Sequence, residues 1–129
     1  MILAGDIGGE TTSLALFTAE KGDLHLLRSA TVANDEFPAL RTVLRRFVAQ
    51  DLSALRGACF ALTGAPPWPV GAPDVAAALG LPAAEAEVIG AAEAAAEHQQ
   101  GGPLERAPSP LLGAAWRAAR RGAAVGEGA

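Results

Sequence analysis

The first seventeen residues constrain the fold of this chain more than any other stretch. Two apolar runs, Ile2–Ala4 and Leu14–Phe17, flank the sequence Gly-Asp-Ile-Gly-Gly-Glu-Thr-Thr-Ser. Two runs of strand-forming residues joined by a glycine turn are typical of a β-hairpin. We therefore predict antiparallel strands over Ile2–Asp6 and Thr12–Phe17, with the two adjacent glycines in the turn between them.

The residues of this turn suit a phosphate ligand. Gly8 and Gly9 lack a Cβ, so their backbone can take a positive φ and approach a ligand closely. Consecutive N–H groups can then cradle a phosphate, with the hydroxyls of Thr11 and Thr12 beside it. Asp6 brings a carboxylate to the same place, which requires a bridging cation such as Mg²⁺. The residues predict a magnesium–phosphate site, and the alternative is a plain glycine turn without a ligand.

Composition narrows the class of protein. A chain of 129 residues allows one domain of ordinary size. The net charge is −4 and the basic residues cluster only in 41–46 and 117–121, which argues against nucleic acid as a partner. No apolar run reaches the length of a membrane span, and no basic leader precedes the first strand, so we expect no membrane partner. The single cysteine, Cys59, cannot form an internal disulfide, which favours the cytoplasm.

The next segments predict an α/β domain. Leu24–Val32 is expected to be a third strand with a less regular pattern. Leu24, Leu26 and Arg28 are expected on one face, and His25 and Leu27 on the other. Apolar residues spaced by three and four predict a helix over Phe37–Gln50, with Asn34 or Asp35 as its N-cap. An unbroken apolar run then predicts a strand buried on both faces, Gly57–Thr63.

The last part of the chain is rich in alanine, glycine and proline. We expect a proline-rich connection over 64–73, because proline cannot continue regular structure. Residues 1–121 are expected to form one domain and residues 122–129 a flexible tail. The predicted elements are a helix over Pro73–Leu79 ended by Gly80, a strand over Ala86–Ile89, and helices over Ala91–His98 and Leu111–Arg121.

The hairpin resembles a known motif. Asp6-Ile7-Gly8-Gly9, followed by Thr12, is similar to the first phosphate motif of bacterial glucokinases, in the superfamily of hexokinase, actin and the Hsp70 ATPase domain. The resemblance implies a ribonuclease-H-like small domain, whose mixed sheet opens with a three-strand antiparallel meander covered by helices. It also implies ATP-dependent phosphorylation of glucose, with Mg-ATP as cofactor and a nucleotide and a hexose as partners.

Glu10 departs from that motif, because the family usually carries threonine there. The threonine would bind a phosphate oxygen, whereas a carboxylate about 4 Å away repels phosphate by roughly 1 to 4 kcal/mol. We therefore expect Mg-ATP binding to be weak or lost, unless Glu10 turns outward or holds a cation.

The resemblance covers nearly the whole chain, as a small domain plus a returning C-terminal helix over 111–121, without the family's large domain. The family sequence Asn-Asp-Xaa-Glu-Ala corresponds to Gly90-Ala91-Ala92-Glu93-Ala94 here. The family Asp is the general base that deprotonates the attacking sugar hydroxyl, and Ala91 occupies its position. No catalytic residue is assigned, and we expect a pseudoenzyme, inactive or impaired alone.

Two other functions stay open. One is a non-catalytic interaction module that self-associates through the apolar face that met the large domain, forming a homo-oligomer. The other is weak nucleotide or phosphate binding without chemistry. Among the remaining candidates, His25 and His98 lack metal-ligand partners nearby. Cys59 is expected in the core, and Trp68 is expected to pack, with stacking on a sugar ring as the alternative.

Overall fold

Five strands form one mixed sheet in the computed structural model, which describes residues 1–20, 23–90, 92–93, 114–115 and 117–118. The order across the sheet is third, second, first, fourth, fifth. The second strand is antiparallel to both the first and the third, and the fourth and fifth run parallel to the first. The predicted α/β class and the opening meander are confirmed. The strands are β1 (Ile2–Ile7), β2 (Thr11–Glu20), β3 (Asp23–Ala33), β4 (Gly57–Leu62) and β5 (Ala86–Gly90).

Two helices, α1 (Leu40–Val48) and α2 (Ala72–Leu79), connect the parallel strands. Their buried residues pack on one face of the sheet, where strand side chains such as Leu3, Ile7 and Phe60 meet them. Because side chains alternate along a strand, the intervening residues of β1 point to the opposite face. Three short 3-10 turns complete this part: Asn34–Glu36, Ala49–Ala54 and Ala83–Glu85.

The opposite face of the sheet has its own apolar cluster. Ile2 and Ala4 of β1 lie there with Cys59 and Ile89, so the prediction that Cys59 is a core residue is confirmed. Helical residues near the C-terminus cover this face: Ala114, Ala115 and Ala118 are all buried in the same cluster. The rest of the predicted helix over 111–121 lies outside the described residues, as do most of the helix predicted over 91–98 and the whole tail.

Gly5 makes close contact between β1 and β4 possible. A Cβ at this position would lie 2.2 Å from Cδ1 of Phe60 and 3.2 Å from Cδ2 of Leu14. The ring of Phe60 is fully buried and occupies the space that any larger residue at position 5 would need. Sequence patterning does not reveal this requirement, because Gly5 simply continues an apolar strand.

The first helix begins later than predicted, and the prediction of Asn34 or Asp35 as its N-cap is wrong. The N-cap is Ala39, and Asn34 begins a separate 3-10 turn. Phe37 is extended, with φ −126° and ψ 138°, as expected for a residue that precedes a proline. The chain therefore cannot run from Asn34 into the helix without a break.

The third strand contains a bulge, so the placement of Arg28 on the same face as Leu24 and Leu26 is wrong. Leu16 pairs with Arg28 and Phe17 pairs with Leu26, so Leu27 is an extra residue in the ladder. A bulge of this kind shifts the side-chain alternation by one position. Leu26 and Leu27 are consequently both exposed, at 58% and 48%.

The predictions for the second helix and the last strand are confirmed within one residue at each end. Pro73 lies in the first turn of α2, where its missing N–H costs nothing. Gly80 ends the helix with φ 67°, a left-handed conformation that glycine adopts without strain. None of the helices in the described ranges has the length and hydropathy that crossing a membrane requires. The assignment of residues 1–121 to one domain stays a prediction.

Candidate functional site

The turn between β1 and β2 is open to solvent. The Gly8 N–H donates to the Thr11 carbonyl at 2.9 Å, which leaves Gly9 and Glu10 at the tip. Gly9, Glu10 and Thr11 are exposed, and Gly8 is half-buried. In the described part of the chain, the N–H groups of Gly9 and Glu10 have no hydrogen-bond acceptor. These donors are therefore available to an anion.

The reason for glycine in this turn differs from the one predicted. Gly8 and Gly9 do not use the positive φ that glycine permits. Space is the limit instead: a Cβ on Gly8 would lie 3.1 Å from the Thr11 carbonyl oxygen, and one on Gly64 would lie 2.4 Å from the Gly9 nitrogen. The turn thus packs closely on the segment that follows β4. No local sequence pattern indicates this contact with Gly64.

Asp6 lies at the carboxyl end of β1, half-buried. The Thr63 hydroxyl donates to its Oδ1 at 2.5 Å, and the Thr63 N–H donates to the Ile7 carbonyl at 2.9 Å. The parallel pairing of Ile7 with Leu62 brings these two strand ends together. Thr63 is a site residue that the sequence reasoning missed, although its place directly after a buried parallel strand was a usable signal.

The Asp6 carboxylate has one oxygen available to a magnesium ion. Oδ2 of Asp6 has no protein partner among residues that the structure describes, so it could face a cation. Mg²⁺ commonly binds one or two carboxylates and completes its shell with waters and substrate phosphates. Asp6 beside an exposed turn with available N–H donors offers that combination.

Thr12 differs from its neighbour Thr11 in where its hydroxyl lies. Thr12 is fully buried, and its Oγ1 donates to Oδ1 of Asn34 at 2.7 Å. Oγ1 of Thr11 has no such partner in the described ranges, and that residue is exposed. Of the two predicted hydroxyls, the structure therefore leaves the one on Thr11 at the surface of the turn.

Position 91, where Ala91 is expected to replace the family's general base, lies outside the described residues. Its neighbour Glu93 is exposed and accepts from Nη1 of Arg117 at 2.8 Å. Arg117 also donates from Nε and Nη2 to the two carboxylate oxygens of Glu87 on β5, at 2.7 and 2.9 Å. The hydrogen bond with Glu87 raises the pKa of the guanidinium. Glu93 is thus part of an ion-pair network that joins the C-terminal helical residues to β5.

The packing interpretation of Trp68 is confirmed. Its side chain is buried in the first core cluster, and its Nε1 donates to the Phe37 carbonyl at 3.0 Å. A buried indole with a satisfied N–H has no free face for a sugar ring. His25 is exposed on β3, whereas His98 and Trp116 fall among residues for which the structure gives no description.

Two solved structures share the fold. A glucokinase from an Antarctic psychrotroph superposes with a TM-score of 0.64 at 20% identity, over 80% of this chain and 36% of that one. RuvC of Thermus thermophilus superposes with a TM-score of 0.50 at 18% identity, over 97% of this chain and 96% of that one. These likenesses confirm the predicted ribonuclease-H-like fold. The chain spans little more than a third of the length of the glucokinase.

The sequence comparison identifies a family, which the shared fold alone does not. No curated protein sequence matches the chain, but the family model described as Glucokinase matches residues 3–75. That range is more than half of the chain and contains Asp6, the glycine turn and Thr63. The turn that the sequence singled out thus lies inside the matched region, and the chain belongs to the glucokinase family.

Proposed function

We propose that this chain is the phosphate-binding lobe of a glucokinase-type sugar kinase and that it binds Mg-ATP weakly through the β1–β2 turn. The observation that carries the proposal is the Asp6 carboxylate, which the Thr63 hydroxyl holds at the base of the exposed β1–β2 turn, next to Gly8. Membership of the glucokinase family supports Mg-ATP as the ligand and a hexose as the second substrate. A reducing, cytoplasmic setting suits the buried thiol of Cys59.

Each residue of the turn has a distinct role in this proposal. The N–H groups of Gly9 and Glu10 donate to phosphate oxygens, and the Thr11 hydroxyl adds a third donor. Asp6 faces the magnesium ion, which neutralises phosphate charge when it is bound. Thr63 holds Oδ1 of Asp6 at 2.5 Å and so directs Oδ2 toward the cation.

We also propose that the chain does not phosphorylate glucose by itself. Phosphoryl transfer depends on holding nucleotide, metal and sugar in register, and closure of a second lobe commonly provides this. This chain corresponds to 36% of the matched glucokinase. It also has Ala91 where the family resemblance places the general base, and a methyl group cannot accept a proton.

Ligand binding is tested by titrating the full 129-residue chain with Mg-ATP and recording a ¹H–¹⁵N NMR spectrum at each step. We expect shifts of the Gly8, Gly9 and Glu10 amides, and an affinity weakened about tenfold or more in Asp6→Asn, which loses the charge facing the cation. Asp74→Asn is the matched control, because Asp74 is exposed at the start of α2. A wild-type spectrum unchanged by Mg-ATP would remove the proposal.

Self-association is a second candidate function, and one observation favours it. β3 is the end strand of the sheet, and it carries the two large exposed apolar side chains found in the described residues, Leu26 and Leu27. An edge strand with exposed leucines can pair with the same strand of another copy. The apolar face expected opposite the family's large domain stays a prediction.

A further inference from the structure

We propose that Asn34 is a positioning residue, which holds the backbone of the β1–β2 turn in the conformation that binds phosphate. Asn34 lies at the end of β3, one strand beyond the hairpin that it contacts. It touches no ligand in this proposal and acts through the backbone of the turn. The inference rests on the proposed Mg-ATP binding, and the experiment below separates the two.

Asn34 binds both sides of the turn. Its Nδ2 donates to the Gly8 carbonyl at 2.9 Å, and its Oδ1 accepts the Thr12 hydroxyl at 2.7 Å. Its backbone N–H donates to the Glu10 carbonyl at 2.8 Å. Asn34 is 1% exposed, so water does not compete for these bonds. One buried residue therefore fixes the turn at three places.

Asparagine suits this task because of its amide. The same side chain must donate to a carbonyl on one side of the turn and accept from a hydroxyl on the other. An amide does both, whereas an ionised carboxylate only accepts and an aliphatic side chain does neither. A buried amide is also costly unless its groups are paired, which explains why Asn34 makes all of these contacts.

The contacts of Asn34 set the direction of the free N–H groups. In a trans peptide, the carbonyl and the following N–H lie in one plane and point in opposite directions. Because the Asn34 side chain binds the Gly8 carbonyl, the N–H of Gly9 turns away from Asn34. The bond from the Asn34 backbone N–H to the Glu10 carbonyl fixes the peptide that follows Glu10. Asn34 thus orients one free donor and holds the residue that carries the other, as an anion site requires.

Loss of these contacts releases the turn into other conformations. Apparent affinity falls in proportion to the fraction of molecules that hold the binding-competent form. The chain would keep its sheet and its Asp6 carboxylate but would present the N–H donors less often. This loss of affinity differs from a loss of global stability and can be measured separately.

The experiment compares Asn34→Leu with Val48→Ala in the full chain. Leucine removes both side-chain hydrogen bonds at similar volume, and the control creates a cavity at a fully buried core position of α1. We expect both variants to melt at a lower temperature. Only Asn34→Leu should shift or broaden the amide resonances of Gly8 to Thr12, and only it should weaken Mg-ATP binding by about tenfold. Asn34→Ser serves if the leucine variant fails to fold.

The outcomes separate cleanly. Equal Mg-ATP affinity in Asn34→Leu and Val48→Ala, in a wild-type background that binds, overturns the role of Asn34 alone. Unchanged resonances for the turn in Asn34→Leu overturn it as well. A wild-type chain that does not bind Mg-ATP instead removes the proposed function, and the turn resonances still decide whether Asn34 positions the backbone.

Discussion

Glu10 is the residue at which this chain departs most clearly from a phosphate-binding turn. Its side chain is exposed, so solvent screens its charge and the repulsion toward phosphate falls at the low end of the range, about 1 kcal/mol. We predict that Glu10→Thr tightens Mg-ATP binding about five- to tenfold, measured by the same NMR titration.

The control for this prediction is Glu36→Thr, which makes the same change of charge at another exposed position. Glu36 lies in the 3-10 turn after β3, outside the hairpin. An affinity that rises equally in both variants would assign the effect to net charge. An affinity unchanged in Glu10→Thr would discard the repulsion argument.

At the residue scale, the sequence predicts which residues lie at the turn but not which contacts hold them there. Asp6 and the two glycines followed from a short local pattern. Thr63 and Asn34 lie 57 and 26 residues from their partners Asp6 and Gly8. Such contacts depend on strand pairing, which no local pattern specifies. The sequence around Asn34 suits a helix N-cap as well as a residue that holds the turn, and it predicts the N-cap.

At the scale of elements, the contact of β1 with β4 depends on Gly5. A Cβ placed 2.2 Å from the Phe60 ring forces the ring or the strand to move, and overpacking of this kind costs about 1 to 3 kcal/mol. We predict that Gly5→Ala lowers the free energy of unfolding by that amount, measured by urea denaturation.

Two companion variants make the prediction specific. Gly90→Ala adds the same methyl group at the end of β5, where nothing lies within 4 Å, and should change the free energy of unfolding little. In a Phe60→Leu background, Gly5→Ala should cost less than in the wild-type chain, because the ring that it meets is gone. Equal costs in both backgrounds would contradict the proposed clash.

The elements themselves were predictable where the pattern was long and regular. The stripe of α1 follows from a clear helical periodicity, and β4 follows from an unbroken apolar run of strand length. The start of α1 is not predictable in this way, because Pro38 interrupts the helical conformation between Asn34 and the helix. The bulge at Leu27 is not predictable either, because an extra residue in a strand cannot be recognised until the partner strand is known.

For the whole molecule, the question is whether one lobe is enough for catalysis. We predict that the 129-residue chain forms no glucose 6-phosphate above background in a coupled assay, even at high protein concentration. The family resemblance places the general base at Ala91, which cannot accept a proton, and general acid–base catalysis alone commonly contributes about 10²- to 10⁴-fold. A full-length bacterial glucokinase is the positive control, and measurable turnover by this chain would refute the prediction.

The exposed leucines of β3 give a second prediction at this scale. We expect the sedimentation coefficient of the wild-type chain to rise with concentration, and Leu26→Lys to abolish that rise, because a charged residue on an edge strand opposes pairing. Ala77→Lys, at an exposed position of α2, controls for the added charge. A wild-type chain that stays monomeric at every concentration would exclude this candidate.

The pairing of the three parallel strands has a consequence for the size of any molecule bound at this edge. Ile7 is opposite Leu62, and Leu62 is opposite Gly90, so all three strands stop on one level. Adjacent strands lie about 4.8 Å apart, which puts Ile7 and Gly90 roughly 10 Å from each other. A ligand that contacts both ends of this edge must therefore reach across roughly 10 Å.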